Sequence, residues 1–122
     1  MSELTLLVMR LALLALLAGC GDRPAPPTAA SVEALRPADA RLAAAYEHSC
    51  LLCHGRLDSG APATGDPAAW APRLAKGLDA LVGNARTGIG GMPAMGLCAD
   101  CSDADLRQLI LFMSAAPAPP TP

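Results

Sequence analysis

The sequence is poor in aromatic residues: its 122 positions include one Trp, one Tyr and one Phe, although 52% of the residues are hydrophobic. Most of the hydrophobic residues are Ala and Leu. A core built from them has little bulk, and a domain of this size usually needs a metal, a disulfide or a cofactor as reinforcement. Five cysteines are available for that purpose.

Clusters of positive charge are also missing. The net charge is −2, and no run of Lys or Arg occurs anywhere in the chain. Nucleic-acid binding is therefore excluded as the main function, because it needs a basic stripe or patch. The length leaves room for one compact domain and not for two.

The apolar run at residues 11–17 is too short to span a bilayer. It follows Arg10 and precedes small residues, a pattern typical of an export signal. The boundary at residues 17–20, Leu-Ala-Gly-Cys, resembles the lipobox of bacterial lipoproteins, in which the cysteine becomes the first mature residue and carries the acyl chains. We expect a signal peptide at 1–19 and lipidation of Cys20, which would anchor the protein on the periplasmic side of a bacterial membrane. The alternative is an ordinary buried helix that ends in a chance cysteine.

Proline divides the rest of the chain. Residues 20–37 are rich in Pro, Ala and small polar residues, and their prolines oppose regular structure. This composition predicts a tether after the lipidated cysteine, with a reach of roughly 50 Å if it is largely extended. The folded domain is expected at 38–116, and the proline-rich residues 117–122 are expected to form a disordered tail.

Residues 50–54 carry the strongest motif, Cys-Leu-Leu-Cys-His, which is the attachment signature of c-type haem. In such a motif Cys50 and Cys53 add across the two haem vinyl groups, and His54 ligates the iron. A redox-active dithiol or half of a zinc site are the alternatives for the same residues.

The glycine-rich loop at residues 90–96 can offer a thioether to the opposite side of the iron. Met92 is the preferred ligand because it precedes a proline, which favours an extended backbone from which the side chain can project. Met95 is the rival, and its alternative role is to pack against the haem edge.

The stretch from Tyr46 to Ser114 resembles cytochrome c5, a branch of the class I c-type cytochromes. The resemblance rests on the haem motif, Tyr46 four residues before it, and five further short motifs: Gly60-Ala61-Pro62, Gly65-Asp66, Trp70-Ala71-Pro72-Arg73, Gly91-Met92-Pro93 and Cys98-Ala99-Asp100-Cys101-Ser102. It implies one covalent haem c with His54 and Met92 as axial ligands.

The resemblance implies further roles for residues around the haem. The Pro62 carbonyl is expected to accept a hydrogen bond from the non-ligating nitrogen of His54, and Trp70 and Arg73 are expected to lie near the haem propionates. A disulfide is implied between Cys98 and Cys101. These two cysteines could instead be a redox-active dithiol, or could join the haem-motif cysteines in a four-cysteine zinc site.

The helical patterns agree with an all-α fold of class I cytochrome type, with three to four helices wrapped around one covalent haem. A first helix is predicted from Asp39 to Cys50, and a middle helix from Leu74 to near Gly83. Ser102 is the expected N-cap of the last helix, whose apolar stripe consists of Leu106, Leu109, Ile110 and Met113.

With both axial positions filled by the protein, outer-sphere electron transfer is the predicted function. The chain is expected to be a monohaem electron carrier and not an enzyme, with no small-molecule substrate. Its expected partners are a respiratory donor and a terminal oxidase or reductase, which would meet the exposed haem edge near Cys50 and Cys53. Few charges beyond Arg56 and Arg86 are available there to steer a partner. The alternatives are a membrane-tethered electron-entry subunit of one oxidase or reductase complex, a small haem enzyme such as a peroxidase, and the zinc-binding module.

Overall fold

The computed structural model describes Glu3 by itself and residues 25–117. Within this part of the chain the secondary structure is helical, and the only β-type pairing is an isolated bridge between Ile89 and Met92. The predicted all-α class is confirmed. The α-helices are α1 (Ala29–Ala34), α2 (Ala40–Ala45), α3 (Leu51–His54), α4 (Pro67–Leu74), α5 (Leu78–Thr87) and α6 (Asp103–Ser114).

Cys20, all of the predicted signal peptide except Glu3, and residues 118–122 of the predicted tail lie outside the described residues. The predictions for those segments are therefore untested by the structure. Among the residues that are described, none of the helices is both long enough and apolar enough to cross a membrane.

The first predicted helix begins where expected and extends further. The Asp39 side chain caps α2 by accepting a hydrogen bond from the Leu42 backbone N–H. A π-helical segment, Tyr46–Cys50, then joins α2 to α3, so that helical backbone continues through His54. Single π-helical turns of this kind are rare in proteins, and many of those that occur lie at functional sites. Here the segment leads directly into the cysteine motif.

The prediction of one middle helix is wrong. The structure has α4 and α5 in that region, separated at Gly77, whose φ of 91° is incompatible with a continuing helix. The start of α4 carries a signal that the apolar spacing does not reveal: Asp66 accepts hydrogen bonds from two backbone N–H groups, and Pro67 occupies the first helical position. Gly83 lies inside α5 and does not end it.

The last helix agrees with its prediction. Ser102 caps α6 and forms a reciprocal capping box with Asp105. The four residues of the predicted apolar stripe are all at least 95% buried, and they pack in the main core cluster.

All three aromatic side chains pack around this core. Tyr46 is fully buried and meets Phe112 edge to face, with ring centroids 5.1 Å apart. The Tyr46 hydroxyl and the Thr64 hydroxyl are hydrogen-bonded at 2.8 Å. Trp70 is 4% exposed. The few large side chains are thus concentrated where α2, α4 and α6 converge.

Part of the predicted tether is folded. Thr28 caps α1 through a capping box with Ser31, and the prolines of this region lie outside the six helical residues. The expectation that proline suppresses regular structure throughout 20–37 is therefore wrong for Ala29–Ala34. The prolines of this region precede Thr28 or follow Leu35, so none removes a hydrogen bond within α1.

Helix α1 and the residues after it pack against the domain. Val32 is fully buried, which a six-residue helix cannot achieve alone. Arg36 forms an ion pair with Glu47 at 2.6 Å and lies over the Tyr46 ring, with its guanidinium carbon 5.9 Å from the ring centroid. These contacts make the end of the predicted tether an integral part of the folded unit.

We predict that Val32→Ala lowers the free energy of unfolding by about 2 kcal/mol, because it removes two buried methyl groups and leaves a small cavity. Chemical denaturation of the holoprotein measures this loss. The exposed position Ala30 provides the matched control, since Ala30→Ser changes no buried contact. Equal stability of the Val32→Ala and Ala30→Ser proteins would show that α1 is not packed in solution.

An ion pair connects α2 and α6: Arg41 donates to the Asp105 carboxylate. The hydrogen bond from Arg41 and those from the Ser102 backbone N–H and hydroxyl hold the pKa of Asp105 well below its usual range. A carboxylate with a depressed folded-state pKa stabilises the fold above its unfolded-state pKa, and this contribution is lost as the pH falls through the folded-state value.

We therefore predict that Asp105→Asn lowers the thermal midpoint at pH 7, and that the difference from wild type shrinks progressively below about pH 4. Thermal unfolding followed between neutral and acidic pH tests this. The control is Asp100→Asn, at an exposed position with no ion pair within residues 25–117. A midpoint difference that stays constant with pH would contradict the assignment.

Candidate haem site

A cleft of about 720 Å³ has His54 and Met92 among its lining residues. Its volume is within the range of cofactor pockets. His54 comes from the end of α3, and Met92 comes from the loop between α5 and the 3₁₀ turn Ala94–Leu97. The apolar floor is formed by core residues: Leu81, Ala85, Ile110 and Met113.

Both cysteines of the attachment motif line this cleft as free thiols. Cys50 is buried and Cys53 is exposed. Burial raises the pKa of the Cys50 thiol, although a hydrogen bond with Ser49 acts in the opposite direction. The two residues are three positions apart in helical backbone, which places both sulfurs beside the same opening.

The orientation of His54 is fixed by a backbone acceptor. Its Nδ1 lies 2.8 Å from the Pro62 carbonyl oxygen, which is the partner that the family resemblance implies. Burial lowers the pKa of His54, and the nearby positive charge of Arg73 adds to this, while the hydrogen bond to Pro62 opposes it. A neutral imidazole that donates from Nδ1 keeps the Nε2 lone pair free for a metal.

Trp70 supports the same imidazole from one side. The two rings are stacked, with centroids 5.7 Å apart and planes inclined by 27°. The indole Nε1 donates to the Ala63 carbonyl oxygen at 2.8 Å, which holds the indole in place. The position and tautomer of His54 are thus fixed by Pro62 and Trp70 together.

Of the two candidate methionines, Met92 lines the cleft and Met95 is not among its lining residues. Both are partly buried against the core. Met92 belongs to a tight hairpin in which its backbone exchanges two hydrogen bonds with Ile89, of 3.1 and 2.9 Å. The geometry therefore favours Met92 over Met95 as a donor to the cleft.

Arg73 also lines the cleft, together with Trp70. The sequence reasoning missed Lys76 and Asn84, which lie on the same lining. The spacing of Arg73 and Lys76, three residues apart near the end of a helix, is a signal that could have placed both cations on one side. Two cations at the margin of an apolar cleft are suited to carboxylate groups of a bound cofactor.

The donor set fits covalently bound haem. It combines two thiols, one neutral imidazole and one thioether around a largely apolar cleft, which are the groups that c-type haem requires. Within residues 25–117 no cluster of three or more His, Cys, Asp or Glu could hold a metal ion. The four-cysteine zinc site is not formed there, because the Cys98 and Cys101 sulfurs are bonded to each other.

The Cys98–Cys101 disulfide lies directly before α6, with the two Cα atoms 5.4 Å apart. Cys101 is buried in the core, and the Cys98 backbone N–H donates to the Met95 carbonyl oxygen at 3.0 Å. The disulfide thus connects the loop that carries the methionines to the start of the last helix.

The two arginines expected to guide partners are both neutralised by neighbours. Arg56 is paired with Asp58, and Arg86 is paired with Asp103. His48 is exposed.

Comparison with known proteins agrees with this site. Residues 37–113 match the family model described as cytochrome c oxidase, cbb3-type, subunit III. Cytochrome c5 of Ectopseudomonas mendocina is 49% identical over 67 residues, which are 53% of this chain and 77% of that protein. Cytochrome c-555 of Chlorobaculum thiosulfatiphilum is 40% identical over 74 residues, 57% of this chain and 86% of that protein.

A solved structure is similar as well. A chain from the crystal structure of an electron transfer complex of nitrite reductase with cytochrome c is 38% identical, with a TM-score of 0.55. The match covers 62% of this chain and 93% of that one. Sequence and backbone geometry therefore identify the same group of relatives.

Proposed function

The chain belongs to the class I c-type cytochromes, the family that includes cytochrome c5, and we propose that His54 and Met92 are the axial ligands of its haem. It binds one haem c covalently and carries single electrons. The observation that carries the ligand assignment is the lining of one cleft by the attachment cysteines, His54 and Met92.

When bound, the haem supplies the one-electron redox chemistry, and the protein supplies attachment, orientation and a controlled environment. Cys50 and Cys53 attach it. His54, held by Pro62, offers Nε2 from one wall, and Met92 offers its thioether from another. The apolar floor excludes water, and Met ligation raises the reduction potential.

A chain with both axial positions occupied has no open iron site for a substrate. On this ground the protein is a carrier and not an enzyme. The chemistry left to it is outer-sphere transfer through the accessible edge of the cleft, where Cys53 is exposed.

The proposed partners are a respiratory donor and a terminal oxidase or reductase. The similarity to a chain from a complex of nitrite reductase with cytochrome c supports a reductase as acceptor. The surface beside the cleft is apolar: Leu97 and Ile89 line the cleft and are 61% and 53% exposed, and Leu52 in the haem motif is 65% exposed. Because Arg56 and Arg86 are already paired, contact with a partner depends more on these apolar side chains than on charge.

The second candidate is a dedicated electron-entry subunit of one oxidase complex. The description of the matching family model, subunit III of a cbb3-type oxidase, favours it. The named relatives, cytochromes c5 and c-555, favour the separate carrier, which is the function we adopt.

The proposed location is the periplasmic side of a bacterial membrane, with acyl chains on Cys20. Because α1 and its flanking residues are packed on the domain, only residues 21–27 separate Cys20 from the folded part. At about 3.1 Å per residue, seven residues can reach at most about 22 Å in a polyproline-type conformation, less than half the reach expected from the full proline-rich segment. The lipid would therefore hold the cytochrome close to the bilayer, which favours partners embedded in the same membrane.

We predict that Met92→Ala abolishes the weak sulfur-to-iron charge-transfer band of the ferric protein and lowers its reduction potential, because a sulfur ligand is lost. Met95→Ala is the matched control, since Met95 lies on the same loop but not on the cleft. Optical spectroscopy and redox titration of both proteins separate the two methionines. Loss of the band only in Met95→Ala would overturn the ligand assignment.

We also predict that Cys20→Ser releases the protein from the membrane or leaves it unprocessed, while haem attachment downstream is retained. Two or more acyl chains hold a protein stably to a bilayer. Cell fractionation with haem staining, together with the mass of the wild-type N-terminal peptide, tests this. A soluble wild-type protein with an unmodified N-terminus would remove the anchor from the proposal and leave a soluble carrier.

A further inference from the structure

Close backbone contacts hold the main chain of Met92 in place. Besides its two hydrogen bonds with Ile89, it lies against Gly88, where an added Cβ would be 2.8 Å from the Met92 carbonyl oxygen and 3.0 Å from the Ala94 nitrogen. Gly88 has a φ of 84°. No other residue type fits at this position without moving the loop.

The end of the Met92 side chain has a contact of its own. A Cβ added at Gly96 would be 3.0 Å from the Met92 methyl carbon. Outside the 3₁₀ turn that contains Gly96, no other atom of the described residues lies within 4 Å of that position. Gly96 itself is buried, with a φ of 56°. The Met92 methyl group therefore lies beside the space that a side chain at position 96 would occupy.

Gly96 is held in this conformation by its neighbours. Met95 and Leu97 have φ values of 61° and 69°, so three consecutive residues adopt a backbone that side chains disfavour. The Gly96 backbone N–H donates to the Pro93 carbonyl oxygen at 3.0 Å, and the disulfide at Cys98 follows at once.

Gly90 and Gly91 directly precede Met92 in the same loop. In the structure, a Cβ at Gly90 or Gly91 would meet nothing within 4 Å. The glycines that contact Met92 are instead Gly88 and Gly96, four residues to either side.

From these contacts we propose that Gly88 and Gly96 are positioning residues for the Met92 thioether, with Gly88 fixing its backbone and Gly96 fixing the end of its side chain. This inference rests on the proposed role of Met92 as a ligand. A methyl group at Gly96 displaces the end of the thioether and so weakens or breaks its bond to iron, while the folded chain is otherwise preserved because the displaced atom is the tip of a flexible side chain.

The test is Gly96→Ala in the holoprotein, with Gly90→Ala as matched control. The two glycines both line the cleft and have nearly the same φ, 56° and 57°, but only Gly96 contacts Met92. Strain from a positive φ is therefore similar in the two variants, and the contact with the thioether differs. Gly91 has no positive φ, and a Cβ there would meet nothing within 4 Å. Gly91→Ala therefore tests whether an added methyl group in this loop changes the band without strain and without contact with Met92.

We expect Gly96→Ala to lose or shift the ferric sulfur-to-iron band and to have a lower reduction potential. We expect a smaller effect of Gly90→Ala and Gly91→Ala, because these glycines line the same cleft without contacting Met92. Thermal unfolding of the same samples measures separately how much stability each variant loses through backbone strain. Gly88→Ala is expected to reduce both the band and the stability, because its clash is with backbone atoms.

Equal loss of the band in Gly90→Ala and Gly96→Ala would overturn the inference, since strain alone would explain it. A wild-type band and potential in Gly96→Ala would overturn it as well. Failure of the ligand assignment is distinguishable from both, because Met92→Ala would then keep the wild-type band.

Discussion

The hydrogen bond from His54 Nδ1 to the Pro62 carbonyl oxygen is the constraint on which the site depends. It selects one tautomer of a buried, neutral imidazole and leaves the other nitrogen as the only lone pair that can reach a metal. The acceptor is a backbone atom, so the bond is available only if residues around Pro62 follow one path. The fold must therefore specify that loop as strictly as it specifies the histidine.

The loop is specified by the two residues that follow Pro62. The Ala63 carbonyl oxygen accepts from the Trp70 indole, and the Thr64 backbone N–H donates to the His54 carbonyl oxygen at 2.8 Å. The Thr64 hydroxyl is bonded to Tyr46, so two of the three aromatic residues are hydrogen-bonded to this short segment. A chain with so few large side chains uses them where they both fill the core and fix the backbone beside the imidazole.

Whether a feature of the fold or the site could be predicted from sequence depends on how far apart its interacting residues lie along the chain. Local signals were sufficient for the cysteine motif and for the Ser102 cap, because their partners are within a few residues along the chain. The division between α4 and α5 was missed because a single left-handed residue, Gly77, interrupts an otherwise helical apolar pattern. The packing of α1 could not be predicted, because the burial of Val32 depends on residues outside this six-residue helix.

The two proposed ligands are held by different kinds of interaction. His54 is held by burial, by stacking on Trp70 and by a hydrogen bond within the core. Met92 is held by a hairpin and by glycines whose backbone is strained for other residues, on a loop whose neighbouring Ile89 and Leu97 are exposed. The position of the thioether therefore depends on the backbone of this loop, whereas the position of the imidazole depends on side chains of the core. A partner that packs on Ile89 and Leu97 would contact the same segment that holds Met92.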